Sequence, residues 1–241
     1  MNGRTTENGA DKMSELTIRW IGQSGYILSD GKNTICIDPY LSDIVKKTRL
    51  VKAPIKPEEL SCDAVICTHN HLDHVDTGAI PYMNRNIAFF APTDAKETLL
   101  GCGVQKYTPF DEGQSFALGD FCITAVYAKH TVPTVGVIVK HGKTTLYFSG
   151  DTYYDKKLSE VRNFGIDIVF ICINGRLGNM NAEEAVALTK EIAPKVGIPN
   201  HYGLFAENTE DPKKYTSRLE CAYELQFDRV YGIDEILKAR R

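Results

Sequence analysis

Thr68-His69-Asn70-His71-Leu72-Asp73-His74 carries the most specific chemistry in this chain. Three of the chain's six histidines and an aspartate fall within it, directly after the apolar run Ala64-Val65-Ile66-Cys67. The run reads as a buried strand and the polar stretch as the loop at its end. In extended backbone His69 and His71 lie on one side, about 7 Å apart along the chain, so both can reach one ion. Asp73 and His74 follow beyond the turn and can face a second. Imidazole and carboxylate suit zinc, manganese or iron(II), and three protein ligands per ion leave room for water. A lone histidine at a strand end is usually just a hydrogen-bonded side chain; half of a chain's histidines at this spacing point to metal.

Upstream, Leu16-Thr17-Ile18-Arg19-Trp20 alternates as a half-buried strand, Gly22-Gln23-Ser24-Gly25 bends it, and Thr34-Ile35-Cys36-Ile37 ends at Asp38-Pro39. These glycines do not fit a phosphate loop and read as a bend or close packing. Residues 39–60 form a polar connection long enough to border a site, and its Lys46, Lys47 and Arg49 are candidate anion contacts beside the simpler reading of a solvated basic stretch. Downstream, short helices are expected over residues 76–85, 94–100 and 156–164, with a longer one over 182–193 begun by an Asn181/Glu184 capping box. Another is expected over about 211–226, before a last short strand. Val135–Val139 and Thr145–Phe148 read as a hairpin across His141-Gly142-Lys143, which leaves His141 facing solvent rather than metal.

His130, Asp151 and His201 each stand just past a predicted strand, and strand ends on one edge of a sandwich can converge into one cleft. With His69, His71, Asp73 and His74 they make the seven ligands that two ions sharing a bridging carboxylate require. Strands dominate, in a β-meander half followed by a β/α half, which suggests two packed sheets with helices outside.

Composition limits the alternatives. The chain has 241 residues, 43% hydrophobic and 24% charged, enough for one sizeable core. Its net charge of −3 gives no basic bias toward nucleic acid. No apolar run approaches membrane-spanning length, and residues 1–14 lack a signal peptide's apolar core. They read as a disordered arm before a single domain over 15–241. The seven cysteines are scattered and odd in number, as in a reduced, cytoplasmic protein. Cys67, although next to the metal loop, reads as core.

The His-X-His-X-Asp-His pattern at 69–74, followed by His130, Asp151 in Gly-Asp-Thr, and His201, resembles the metallo-β-lactamase superfamily. Within it, Ile37-Asp38-Pro39-Tyr40-Leu41-Ser42-Asp43, Pro54-Ile55-Lys56-Pro57-Glu58-Glu59-Leu60, Ser149-Gly150-Asp151-Thr152 and Ile198-Pro199-Asn200-His201 look like the L-ascorbate-6-phosphate lactonase family, whose members are longer. Val75-Asp76 departs from the His-X-Gly of glyoxalase II and tRNA-processing nucleases. Asn70 stands where oxygen-reducing diiron relatives carry glutamate.

The resemblance implies a four-layered αββα sandwich and two divalent ions, Mn2+ or Zn2+ with Fe2+ also open. His69, His71 and His130 would hold one ion and Asp73, His74 and His201 the other, with Asp151 bridging. A shared water then becomes a hydroxide near neutral pH and attacks an ester, lactone or phosphoryl centre. Asp73 can carry its proton. Tyr202 can donate to the oxyanion or pack against the metal loop. Asp38 can fix a histidine ring or cap its turn. Asn174 and Arg176 are candidate substrate contacts, Arg176 for phosphate or for a surface ion pair. The expected function is a lactonase acting on a phosphorylated sugar acid, a small anionic substrate. A metal-dependent phosphodiesterase and a non-catalytic metal-loaded binding or sensing protein are the alternatives. Nucleic-acid and membrane partners are not expected, and a homo-oligomer is left open.

Overall fold

Thirteen short strands, most with apolar residues on one or both faces, form two sheets in the computed structural model, which describes residues 15–239. The expected N-terminal arm, residues 1–14, lies outside the described residues. The first six strands are β1 (Thr17–Gly22), β2 (Gly25–Ser29), β3 (Thr34–Ile37), β4 (Ala64–Ile66), β5 (Ala88–Ala91) and β6 (Lys106–Pro109). The next six are β7 (Ser115–Leu118), β8 (Phe121–Tyr127), β9 (Val135–His141), β10 (Thr144–Phe148), β11 (Ile168–Cys172) and β12 (Val196–Asn200), with β13 (Val230–Gly232) near the end.

One sheet runs β13-β1-β2-β3-β4-β5-β6 and the other β12-β11-β10-β9-β8-β7. Their facing sides share one apolar core that includes Ile18, Tyr26, Leu28, Ile35, Val137, Val139, Leu146, Phe148 and Phe170. The first sheet's outer side carries a second core, where Cys36, Val65, Cys67 and Phe89 meet helix α1 (Lys96–Gly101) and residues 75–83. The second sheet is covered by α2 (Ala182–Ile192) and by a 3-10 helix over Lys156–Phe164. This is the four-layered αββα sandwich expected from the sequence. Cys67 is core, as read.

Local signals explain most elements. Asn181 accepts from the amides of Glu183 and Glu184 while Glu184 accepts from the Asn181 amide, so the capping box starts α2 as expected. Two expected helices are absent. Residues 76–85 turn around Gly78 and Pro81 and keep only a short 3-10 turn at Ile80–Tyr82. Of 211–226 only α3 (Lys213–Thr216) is helical. Past it, Cys221 O accepts from the Gly197 amide and the Tyr223 amide donates to Gly197 O. The free edge of β12 thus claims the backbone that a helix would have bonded internally. After β13 the described chain ends in α4 (Ile233–Lys238) rather than in a strand. No helix among the described residues is long and apolar enough to cross a membrane.

Candidate metal centre

The loop after β4 and the residues after β8, β10 and β12 meet at one place. Ligand atoms of His69, His71 and His130 lie within 4.8 Å of one another, as do those of His69, His74 and Asp151 and those of Asp73, His74 and His201. All seven expected ligands are therefore brought together. His69 Nε2 is 2.9 Å from His71 Nδ1, which is 3.3 Å from His130 Nε2. Zinc–nitrogen bonds of about 2.0–2.1 Å in a tetrahedron put ligands roughly 3.3 Å apart, so this spacing fits one ion. Asp151 stands between the two sets, with Oδ1 3.4 Å from His74 Nε2 and Oδ2 3.1 Å from His201 Nε2.

The backbone is shaped for this. Gly150 has φ +59°, and a Cβ there would meet Val135 O at 3.0 Å and the Thr68 side chain just beyond. Only glycine lets the β10 end turn Asp151 inward between these walls. At Gly178 a Cβ would come within 2.7 Å of His130 Nδ1, so its absence lets the loop carbonyl reach that ring.

Hydrogen bonds fix which ring nitrogens carry protons. His74 Nδ1–H donates to Asp38 Oδ2 at 2.8 Å. His130 Nδ1–H donates to Gly178 O at 3.0 Å. Thr68 Oγ1 donates to Asp38 Oδ2 at 2.7 Å and accepts from His69 Nδ1–H at 3.1 Å. Asp38 also accepts the Thr68 amide at 2.7 Å and is fully buried. These partners leave Nε2 of His69, His74 and His130 as bare lone pairs converging on the cluster. His74 Nε2 and Asp151 Oδ1 are buried with no hydrogen-bond partner. Two buried acceptors turned toward each other are costly unless a proton or a cation stands between them, and a divalent cation can take that proton's place. The donor set fits the expected metals.

Charge follows the same division. Burial pushes His69 well below the ordinary imidazole value, with His74 adding to it, and burial likewise lowers His71 and His130. Burial also opposes a charge on His74, but Asp38, Asp151 and Asp73 outweigh it and hold that ring well above the ordinary value. Asp151 is buried too, yet His201 and His74 keep its carboxyl well below the usual range.

The structure adds residues that the sequence did not point to. Gln23, read as part of a bend, is fully buried and donates from Nε2 to Asp73 Oδ2 at 3.0 Å, 3.1 Å from His201 Nε2. Asn179 donates to Asp151 Oδ2 at 2.8 Å and to Asn174 Oδ1 at 3.0 Å, and Asn174 donates to Asn208. Asn174, expected as a substrate contact, is instead buried outside the cavity lining and holds Asn179 against Asp151. The sequence singled out Asn174 at the end of the core strand β11, but gave no signal for Asn179. Asp76 accepts the amides of Leu41 and Ser42, tying the segment after β3 to the metal loop.

Three further expectations are corrected. Tyr202 does not face the centre: His201 has φ +61°, which turns the next residue away, and the Tyr202 ring packs 5.0 Å from Trp20 in a separate cavity. Arg176 is exposed and donates to Glu207 O at 3.3 Å, outside the cavity over the metal centre, where its neighbour Leu177 stands instead. His141 is buried, not solvent-facing. It continues the inward face of Val137 and Val139 and pairs with Asp30 at 3.2 Å.

Comparison with known proteins gives the family and supports the fold. Residues 33–202 match the Beta-lactamase superfamily domain. A UPF0173 metal-dependent hydrolase of Oenococcus oeni is 30% identical over 241 residues, covering 90% of this chain and 99% of that protein. One of Symbiobacterium thermophilum is 31% identical, covering 85% and 92%. A solved structure of a metallo hydrolase from Ignicoccus hospitalis superposes with a TM-score of 0.74 at 20% identity, covering 90% of this chain and 97% of that one. These relatives do not carry the lactonase name, so the narrower likeness is not shown. The chain belongs to the beta-lactamase superfamily and, within it, to the UPF0173 metal-dependent hydrolases.

Proposed function

We propose that this protein is a metal-dependent hydrolase that opens a carboxylic ester, most simply a lactone, at the centre formed by His69, His71, Asp73, His74, His130, Asp151 and His201. One observation carries the metal-dependent part of the reading: buried lone pairs on His69, His74, His130 and Asp151 converge, with the ring Nδ1–H groups directed outward to Thr68, Asp38 and Gly178. When bound, divalent ions supply an activated water and polarise the scissile carbonyl. Asp38, Thr68 and Gly178 keep each ring in its ligating tautomer, and Asn179 and Gln23 hold the two carboxylates. Asp73, with 18% of its side chain exposed against 6% for Asp151, faces the cavity and can accept the water's proton and return it to the leaving oxygen. In balance, water adds to the acyl carbon, the acyl C–O bond breaks, and the leaving oxygen takes a proton. The phosphorylated sugar-acid form of this reading rests on Lys47 alone, because Arg176 lies elsewhere.

The test is a panel of lactones, aryl esters and a phosphodiester, assayed on chelator-treated protein with Mn2+ or Zn2+ added back. Metal-dependent turnover of the carboxylic substrates is expected. Turnover of the phosphodiester alone would overturn the ester assignment, and no turnover of any substrate would leave a binding protein.

A further inference from the structure

The cavity over the metal centre has about 620 Å³ and is walled on one side by His71, Asp73, Asp151 and His201. Its other walls come from separate segments. Leu72 projects from the metal loop, Tyr153 follows the turn after β10, and Leu177 stands in the loop after β11. They are 45%, 43% and 66% exposed, three of the eight large hydrophobic side chains that are exposed among the described residues. Single exposed leucines are ordinary; three from unrelated segments around one reactive centre form a patch with a purpose.

Leu177 makes the point sharply. Its φ is +54°, a conformation that costs a branched side chain and suits glycine. Gly175 and Gly178 beside it already take positive φ. Such strain persists at sites where the side chain's position is used, and here that position is the rim of the cavity. Val45 adds apolar surface, and among the described residues Lys47 is the only lysine or arginine in the lining.

Resting on the hydrolase reading above, we infer that the site selects a carboxylic ester or lactone bearing an apolar chain or ring, which lies against Leu72, Tyr153 and Leu177 while the carbonyl meets the metal centre. A compact, highly charged sugar phosphate would leave this wall in water. An alkyl chain would bury it, and each buried methylene is worth about three- to fourfold in binding.

The test uses the metal-reconstituted full chain and two series. Kinetics on p-nitrophenyl esters from acetate to octanoate should show kcat/KM rising about threefold per methylene over several steps. Leu177→Ser with Leu72→Ser should flatten that slope, lowering octanoate turnover at least tenfold more than acetate turnover. Calorimetry with alkyl hydroxamates of the same chain lengths reads the wall without turnover. If no ester is cleaved the hydrolase reading fails, and a rising hydroxamate series still supports the apolar wall. A rate and an affinity both independent of chain length would overturn the inference, as would a preference for phosphorylated over alkyl substrates. A flat series with a concentration-dependent dimer that Leu177→Ser abolishes would assign the patch to a second copy of the chain, and would also overturn it.

Discussion

Replacing Asp38 by asparagine should loosen the metal centre although Asp38 is not among its ligands. The residue is fully buried with φ +43°, a conformation asparagine tolerates, so the substitution adds little backbone strain. The carboxylate accepts three donors: the Thr68 amide and Thr68 hydroxyl at 2.7 Å and His74 Nδ1–H at 2.8 Å. An asparagine offers one acceptor oxygen and an NH2 group. If the oxygen faces the Thr68 hydroxyl and His74, the NH2 meets the Thr68 amide donor to donor. If it faces the amide, the NH2 meets His74 Nδ1 and drives that ring to carry its proton on Nε2, where a ligand lone pair is needed. Either way one buried donor loses its partner, a cost of about 1–3 kcal/mol. At about 2–4 °C per kcal/mol for a chain this long, the metal-free protein should melt roughly 2–12 °C lower. Loss of a carboxylate partner behind a ligating histidine typically weakens metal about 10- to 100-fold, or roughly 1.4–2.7 kcal/mol. Competition with a chromophoric zinc chelator measures this directly. An Asp38→Asn protein that folds and binds zinc within twofold of the wild type would refute the assignment of Asp38 to His74.

Other changes separate the roles of neighbouring residues. Gln23→Leu keeps volume but removes the donor to Asp73 Oδ2 and should weaken the metal bound at Asp73, His74 and His201 about tenfold or more, read by cobalt absorption, while the His69, His71 and His130 set keeps its spectrum. Tyr202→Phe should leave kcat/KM within about twofold, because its ring faces Trp20; a hundredfold loss would restore it to the reaction. The pH dependence follows from the rings. His69, His71 and His130 are lowered, so they are free of protons in the metal-free fold even below the ordinary imidazole value and should retain their ion as pH falls through about 6.5. His74 is raised and must release a proton to bind metal, so the second ion should leave first on acidification. Metal content measured against pH should fall in two steps, and a single step at or above the ordinary value would contradict this order.

That these seven side chains would meet was legible in the sequence because most of the pattern is local. Four ligands share one loop, and each of the others follows a strand with a clear apolar pattern, so strand ends sufficed to place them. Asp38 was half legible, since a carboxylate before proline also caps a turn. The cavity wall was not legible. Arg176 and Leu177 are adjacent, and which one faces the centre depends on the positive φ angles of Gly175, Leu177 and Gly178. Tyr202 was misplaced for the same kind of reason, one left-handed residue at His201. His141 shows the opposite case, for the alternation Val137, Val139, His141 already placed it inward and the nearby turn outweighed that signal. The helix expected over 211–226 failed because an open strand edge, invisible in local sequence, took its hydrogen bonds.

The central claim is that seven side chains hold two ions joined by Asp151. Its most direct measurement is the metal content of the full chain after chelation and reloading with zinc, set beside Asp151→Asn, whose neutral amide cannot offset two divalent charges. We expect about two equivalents per chain in the wild type, fewer than one tightly held in the variant, unchanged circular dichroism, and activity lower by orders of magnitude. Two tightly held equivalents in Asp151→Asn, or a wild type that never exceeds one at saturating zinc, would contradict it.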